Sequence, residues 1–192
     1  TITQGCQEAL YLALKVSCRA GDIVALESPL FYGLLQIIDS LGLQALEIPT
    51  DPQHGISLEA LQLAIEKWPV KACIVVSNFS NPIGATLNDT RKRDLVAMLS
   101  TARIPKRYDT DSDVLYCSSL SKSLSPALRI GWIAGGKYSE ELNYQKFTLN
   151  AASATIPQLA AERLLRSGEY DRHLHRMRAA LATSTARIRE AL

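Results

Sequence analysis

The sequence predicts an α/β protein with a mostly parallel sheet and helices on both faces, a three-layer α/β/α arrangement. Short apolar runs alternate with amphipathic stretches along the chain, and these runs are too uniformly apolar for strands that expose one face to water. Of the 192 residues, 47% are hydrophobic and 21% are charged, which is enough for one sizeable core. Sheets of this kind bind ligands beyond the carboxyl ends of their strands.

Stop and cap signals delimit the elements of the first hundred residues. Gly21 and Gly42 are stop signals, and Ser57 and Asn88 are typical helix caps. Ser28-Pro29 predicts a helix start with serine as the cap and proline in the first position. The predicted helices cover about 4–19, 28–42, 57–67 and 88–100, and the predicted strands cover 23–26, 43–48 and 72–76.

Lys122 is the most informative residue of the second half. It stands between two apolar runs, 114–116 and 130–134, among several serines and seven positions before Arg129. An amine at the edge of a sheet, beside hydroxyls and a guanidinium, is typical of a lysine that forms a Schiff base with pyridoxal phosphate (PLP). The alternative interpretation is a solvated loop lysine, and the spacing alone does not decide between the two.

Two further segments lie at junctions between predicted elements. Gly5 precedes or opens the first helix, where free backbone N–H groups and the side chain of Gln7 would bind a phosphate, although many helices begin in this way. Asn81 follows the most buried strand, in a loop from which its amide would reach a ring oxygen. A plain Asn-Pro loop has the same composition.

Composition excludes several classes of function. The net charge of +2 gives no general reason to expect nucleic acid or an anionic membrane as partner. The apolar runs are too short to span a membrane and no signal peptide is evident, so we expect a cytoplasmic protein. Four cysteines without C-x-x-C spacing predict neither a metal site nor a disulfide framework.

Four separated segments together resemble the fold-type-I PLP-dependent aminotransferases. In order, they are Gln4-Gly5-Cys6-Gln7-Glu8-Ala9-Leu10, Glu27-Ser28-Pro29-Leu30-Phe31-Tyr32-Gly33, Asn78-Phe79-Ser80-Asn81-Pro82-Ile83-Gly84 and the stretch from Ser118 through Lys122 to Trp132. Within that superfamily, residues 5–10, 46–52, 116–119 and 168–174 are most similar to the aminotransferase-like domain of MocR-type regulators of the GntR family. The resemblance covers almost the whole chain.

The resemblance implies a role for each matching residue. Lys122 would carry the cofactor as a Schiff base, and Asn81 would hydrogen-bond the phenolic oxygen of the cofactor. Phe31 would stack on the pyridine ring, although a core aromatic is the alternative. The phosphate would be surrounded by Gly5, Cys6, Gln7, Ser119, Ser121 and Arg129.

One interval departs from the family pattern. The family has a strand with an aspartate for the pyridine nitrogen, and a tyrosine soon after, before the strand at Val114. Residues 101–113 contain no such strand, and Asp109, Asp111 and Asp113 resemble a polar loop, so that role is assigned to none of them. We expect additional residues, absent from this sequence, between about 100 and 113, because losing a central strand would leave its neighbours unpaired.

The resemblance also predicts the domain organisation. Residues 1–170 would be the PLP-binding large domain, and residues 171–192 would be a helix leading to an absent small C-terminal domain. The five arginines of that helix could suggest nucleic acid, but the apolar stripe of Leu174, Met177 and Leu181 favours a solvated face. We expect a homodimer, and DNA contact only through a winged helix-turn-helix ahead of Thr1.

Two functions of different classes follow from the resemblance. The first is an effector-sensing domain of a MocR/GntR-type regulator, in which an amino acid or another amine displaces Lys122 from the cofactor. The second is a free-standing class I/II aminotransferase acting on an amino acid and a 2-oxo acid, with Lys122 as general base. The regulator is favoured because the closest segment matches are to that group.

Overall fold

The computed structural model describes residues 1–102 and 114–191. The strands are β1 (Ile2–Thr3), β2 (Ile23–Ser28), β3 (Gln44–Asp51), β4 (Gly55–Ile56), β5 (Val70–Ile74), β6 (Tyr116–Ser119) and β7 (Gly131–Ala134). The helices are α1 (Cys6–Ser17), α2 (Gly33–Ser40), α3 (Leu58–Lys67), α4 (Asp89–Thr101), α5 (Ser139–Asn150), α6 (Thr155–Arg166) and α7 (Glu169–Ala191).

The described strands form two sheets. One has the order β4-β3-β2-β5, and in it β2 runs parallel to both β3 and β5. The other has the order β1-β7-β6 and is antiparallel. Because α2 connects β2 to β3, and α3 lies between β3 and β5 in the chain, the first sheet has the alternating connections that the sequence predicted.

Strand β2 shows that helices cover both faces of the first sheet. Ala25 packs on one face with α3 and α4, whereas its neighbours Val24 and Leu26 pack on the other face with α1 and α2. All three side chains are fully buried. Successive side chains of a strand point to opposite faces, so this alternation confirms the three-layer α/β/α prediction.

Helix α1 joins the two sheets. Leu14 packs against the first sheet, while Ala9 and Leu12 pack with Ile133 of β7 and Leu142 of α5. One helix therefore belongs to two apolar clusters. The amino-terminal end of α1 is consequently fixed with respect to both sheets.

The cap signals were mostly correct. Ser57 Oγ accepts a hydrogen bond from the N–H of Ala60 at 3.1 Å, and Asn88 Oδ1 accepts one from Arg91 at 2.9 Å. The prediction at Ser28-Pro29 was wrong, because β2 continues to Ser28 and α2 begins only at Gly33. A residue before proline is disfavoured in the helical region, so the pair extends the strand instead of opening a helix.

The carboxyl-terminal part of the described chain is helical. Helices α5 and α6 were not predicted, and α7 begins at Glu169 and contains no buried residue. Leu174 and Met177 are half-buried, but Leu181 is 58% exposed. The division into domains at residue 170 stays a prediction. None of the helices within residues 1–102 and 114–191 combines the length and hydropathy that a membrane span requires.

Replacement of Ser57 by alanine tests the α3 cap. The change leaves the N–H of Ala60 without its acceptor, so we expect the free energy of unfolding to fall by about 1 kcal/mol. Urea denaturation followed by circular dichroism measures this difference. Replacement of the exposed Gln62 by alanine in the same helix is the control, and an equal loss in the two variants would contradict the capping role.

Candidate functional site

The turn that carries Lys122 connects β6 to β7. Leu120 and Ile130 are buried beneath this turn with Ala161 of α6, and the N–H of Leu120 donates to the carbonyl of Ile130 at 3.0 Å. The side chain of Lys122 is exposed above this apolar support. The predicted position of the lysine, in a loop between two strands, is therefore confirmed.

Two side chains of helix α7 form hydrogen bonds with the Lys122 turn. The hydroxyl of Tyr170 donates to Ser123 Oγ at 2.7 Å, and Nε2 of His173 lies 3.1 Å from the carbonyl oxygen of Ser123. Both contacts involve the residue next to Lys122. Sequence reasoning missed them, because partners 47 and 50 positions apart leave no local pattern.

Gly5 makes the closest backbone approach of the site. It precedes α1 with φ +91°, a conformation that favours glycine, and it lies buried against Gly131 at the start of β7. A Cβ added at Gly131 would lie 2.5 Å from the carbonyl carbon of Gly5. Thr3 of β1 is the register partner of Gly131 in β7. Because Gly5 follows Thr3 by two residues, β1 brings Gly5 to this contact.

The side chain of Arg129 lies over Gly5. Its Nη2 donates to the carbonyl of Gln4 at 2.8 Å, and a Cβ added at Gly5 would lie 2.5 Å from that nitrogen. Glycine also has no side chain with which to cap α1, so the first N–H groups of the helix remain available. The guanidinium of Arg129 therefore lies at the amino terminus of α1, which is the positive end of the helix dipole.

That arrangement favours a bound anion. Two positive groups repel each other, and each favours a negative ligand. Glu8 of the first helical turn offsets them only in part, because its carboxylate accepts from the N–H of Gln4 through Oε2 and is paired at 3.5 Å with the buried Lys146 through Oε1. We call this place, formed by Gly5, Arg129 and the start of α1, the candidate anion site.

Ser119 and Ser121 lie at the same end of the sheet. Ser119 pairs with Gly131 across β6 and β7, and its Oγ accepts from the N–H of Ser121 at 3.4 Å. Ser121 Oγ is buried and has no hydrogen-bond partner among the described residues. A buried hydroxyl without a partner costs free energy, so it is a vacant donor for a ligand oxygen.

A cavity of about 560 Å³ lies beside this anion site. Its lining includes Cys6, Phe31 and Asn81, together with the carboxyl end of β5 and most of β6. The Phe31 ring and the Gln7 amide meet over Gly33, where an added Cβ would lie 2.4 Å from the ring and 2.9 Å from the amide nitrogen. Phe31 is 43% exposed, so it is not a core aromatic.

The predicted residues thus fall into two adjoining groups. Gly5 and Ser119 lie against Gly131, Arg129 covers Gly5 and Ser121 belongs to the Lys122 turn, whereas Cys6, Phe31 and Asn81 line the cavity. The Gln7 amide lies beside the Phe31 ring at Gly33. The interval with Asp109, Asp111 and Asp113 lies outside the described residues.

Burial disfavours the thiolate form of both cysteines of the site. It raises the pKa of the Cys6 thiol, and burial together with the nearby Cys6 raises the pKa of Cys117 to about 12. A thiol reacts as its thiolate, so burial lowers the reactivity of both. No group of three or more potential metal ligands is found among residues 1–102 and 114–191.

The model of the family described as aminotransferase class I and II matches residues 1–105. This chain belongs to that family. The chain is 41% identical over 213 aligned residues to the uncharacterised HTH-type transcriptional regulator YjiR of Escherichia coli (strain K12). The alignment covers 98% of this chain and 45% of YjiR. It is 38% identical over 211 residues to the regulator YdcR of the same strain, covering 100% of this chain and 45% of YdcR.

Solved structures agree with the fold. A Pyrococcus horikoshii kynurenine aminotransferase, crystallised in complex with PMP, superposes with a TM-score of 0.88 at 27% identity, covering 93% of this chain and 50% of that one. The resemblance to fold-type-I aminotransferases and to MocR-type regulators is therefore confirmed. The chain spans about half the length of the two regulators that it matches.

Glu27 is a residue of the cavity that the sequence analysis did not identify as functional. It lies in β2, is 5% exposed, lines the cavity and accepts from the N–H of Val76 at 3.1 Å. Burial raises the pKa of its carboxyl to about 7, against the opposing effect of the Val76 N–H. The only available signal was its place at the end of a buried strand.

Replacement of Glu27 by glutamine tests this environment. A carboxyl whose pKa is raised on folding binds more protons in the folded state, so its contribution to stability is fully present below about pH 4.5 and is lost as the pH rises to about 7. We expect the glutamine variant to lose this part of the pH dependence. Urea titrations from pH 4 to pH 8 measure it.

The control is replacement of the exposed Glu190 by glutamine. That variant is expected to follow the parent protein across the whole pH range. If the free energy of unfolding of the Glu27 variant also followed that of the parent protein across this pH range, the Glu27 carboxyl would be shown to titrate normally.

Proposed function

We propose that this chain is the PLP-binding, effector-sensing domain of a MocR/GntR-type transcriptional regulator. The observation that carries the proposal is the guanidinium of Arg129 over Gly5, at the uncapped amino terminus of α1. The regulators YjiR and YdcR match the chain along nearly its whole length. The ligand would be an amino acid or another amine.

The residues present fit the phosphate end of PLP. A phosphate would receive hydrogen bonds from Arg129, from the first N–H groups of α1 and from the unpartnered hydroxyl of Ser121. Ser119 adjoins this position through its pairing with Gly131, and Gln7 belongs to the first turn of α1. The vacant donors supply a physical reason for an anionic group of this size to bind here.

The ring end is supported less completely. Phe31 and Asn81 line the cavity beside the anion site, where one would contact a ring face and the other a ring oxygen. Glu27 is the only acidic residue lining the cavity in the part of the chain that the structure describes, and it is engaged with Val76. The carboxylate for the ring nitrogen is expected in the additional segment between about 100 and 113, and ligand sensing is favoured over transamination by the similarity to the two regulators.

When bound, PLP supplies an aldehyde that exchanges one amine for another. Lys122 provides the amine that holds the cofactor until a ligand amine replaces it. Tyr170 and His173 fix the neighbouring Ser123 and so orient the lysine. Because these two residues belong to α7, a change in the Lys122 turn would reach the helix that leads out of the domain, which is the coupling that a sensor needs.

The alternative is a free-standing aminotransferase, in which the released Lys122 would move a proton at the substrate α-carbon. The likeness to the Pyrococcus enzyme favours it. The sequence of the polypeptide upstream of Thr1 discriminates between the two functions, because a winged helix-turn-helix there would support the regulator and its DNA contact. A homodimer in the cytoplasm is part of either proposal.

Replacement of Lys122 by alanine tests covalent cofactor binding. We expect the parent protein, mixed with PLP, to show visible absorbance and to retain the cofactor after borohydride reduction on the peptide that contains Lys122. The alanine variant is expected to lose both signals, because the other lysine of the cavity lining, Lys92, is engaged by Asn78 at 3.0 Å. Absorbance spectra and peptide mass mapping measure the outcome.

Replacement of the exposed Lys15 by alanine is the control and is expected to leave both signals intact. Retention of the reducible adduct in the Lys122 variant would overturn the assignment.

Replacement of Arg129 by alanine tests the phosphate site. Loss of a charge-assisted, fork-shaped contact costs about 1.5–3 kcal/mol, so we expect the affinity for PLP to fall about 10- to 100-fold. Lysine at this position is expected to restore only part of it. All three side chains carry a Cβ, so the left-handed backbone of residue 129, with φ 49°, is comparably strained in each protein. Fluorescence titration with PLP measures the three dissociation constants.

The exposed Arg178 of α7, replaced by alanine, is the matched control for loss of a positive charge. Equal affinities in the Arg129 and Arg178 variants would show that Arg129 takes no part in phosphate binding.

A further inference from the structure

One basic side chain lies in the interior of the described structure. Lys146 of α5 is 5% exposed, and among residues 1–102 and 114–191 it is the only Lys or Arg that is buried. Its Nζ lies 3.5 Å from Oε1 of Glu8 in α1 and donates to Oδ1 of Asn150, and Nδ2 of Asn150 donates to the same Glu8 oxygen. We call these three mutually bonded side chains the Glu8–Lys146–Asn150 cluster.

The charges of this cluster are not needed to pack α5 against α1. Leu142 lies one turn before Lys146 on α5, is buried and already packs with Ala9 and Leu12 of α1. Taking a charged pair out of water costs free energy, and apolar side chains of similar size commonly serve the packing equally well. The presence of a charged pair at this place therefore has to be explained by something other than stability.

The second carboxylate oxygen of Glu8 connects the cluster with the candidate anion site. Oε2 accepts from the N–H of Gln4, and the carbonyl of Gln4 accepts from Nη2 of Arg129 at 2.8 Å. Glu8 thus holds the residue to which the guanidinium is bonded. Because Lys146 and Asn150 engage Oε1, the carboxylate is fixed in the orientation that keeps Oε2 on Gln4.

Lys146 also determines the charge beside the candidate anion site. A carboxylate in the first turn of α1 competes with an external anion for the positive end of the helix dipole. The ammonium group of Lys146 pairs with Glu8 and offsets that negative charge within the interior. Glu8 therefore holds Gln4 while Arg129 and the start of α1 stay available to an anion.

We propose that Glu8, Lys146 and Asn150 are positioning residues, which hold the guanidinium of Arg129 in place through Gln4 and thereby set the affinity of the candidate anion site for phosphate. They act through Arg129 and not by contact with the ligand. The inference deepens the proposed function and rests on it for the source of the phosphate, which would be the phosphate group of PLP.

The decisive variant replaces Glu8 by glutamine and Lys146 by methionine together. It removes one negative and one positive charge, so the net charge is unchanged and no uncompensated charge is left in the interior. We expect its affinity for inorganic phosphate to be about three- to tenfold lower than that of the parent chain, a part of the loss expected on removal of Arg129. The titration with phosphate is followed by the NMR chemical shifts of the Gly5 and Cys6 amides.

The exposed pair of Glu162 and Arg166 in α6, replaced by glutamine and methionine, is the matched control. This variant also loses one ion pair, and it is expected to bind phosphate as the parent chain does. Urea denaturation of both double variants measures whether each is folded under the conditions of the titration.

A double-mutant cycle with Arg129→Ala separates positioning from a general structural effect. If the cluster acts through Arg129, adding the Glu8 and Lys146 changes to the alanine variant produces no further loss of phosphate affinity. A purely structural effect would lower the affinity by the same factor in both backgrounds. Equal factors in the two backgrounds, or parent-like affinity of the Glu8 and Lys146 double variant, would overturn the proposal.

A milder variant keeps the proposal testable if the double variant does not fold. Asn150→Ala keeps both charges of the cluster and removes only the hydrogen bonds of the amide. It is expected to weaken phosphate binding about two- to fivefold in the parent chain and not at all in the Arg129→Ala background. Parent-like phosphate affinity of Asn150→Ala would then count against the positioning role.

PLP binding is measured separately on the same proteins. Phosphate binding that depends on the cluster, in a chain that forms no adduct with PLP at Lys122, would support the positioning role and contradict the proposed function. An adduct at Lys122, together with phosphate affinity that is unchanged in the Glu8 and Lys146 double variant, would contradict the positioning role alone. A parent chain that binds no phosphate would overturn both.

Discussion

The close contact between Gly5 and Gly131 is the constraint on which the candidate site depends. Two backbones can approach this closely only because neither residue has a side chain, and a single Cβ at residue 131 would meet the carbonyl carbon of Gly5 at 2.5 Å. The contact fixes the amino terminus of α1 against β7, and β7 in turn pairs with β6, which leads into the Lys122 turn. The anion site and the lysine are thereby placed by one piece of packing.

Several groups of the candidate site are incompletely satisfied in the described structure. Arg129 lies at the positive end of α1, Ser121 Oγ is buried without a partner, and the Glu27 carboxyl is buried with one hydrogen bond. Each of these features reduces stability in the free chain and would be relieved by an anion, by an acceptor or by protonation. Such costs are expected where a protein binds a ligand instead of optimising its own packing.

The sequence predicted what depends on local pattern. Apolar runs, the caps Ser57 and Asn88, and the position of Lys122 between two strands are local signals, and the structure follows them. Ser28-Pro29 failed because the restriction that proline imposes on the preceding residue prevailed over its tolerance of a first helical turn. Glu27 with Val76 and Tyr170 with Ser123 depend on chain segments that meet only after folding, so no local pattern announces them.

The cavity connects the two groups of predicted residues. Phe31 and Asn81 line it from the loops that follow β2 and β5, and Cys117 lines it from β6, which pairs with β7 and so with the strand that contacts Gly5. Helix α1 contributes Leu10, Ala13 and Leu14 to the same lining, and its amino terminus is held by the contact between Gly5 and Gly131. A displacement of α1 would therefore alter the wall of the cavity and the contact between Arg129 and Gly5 together.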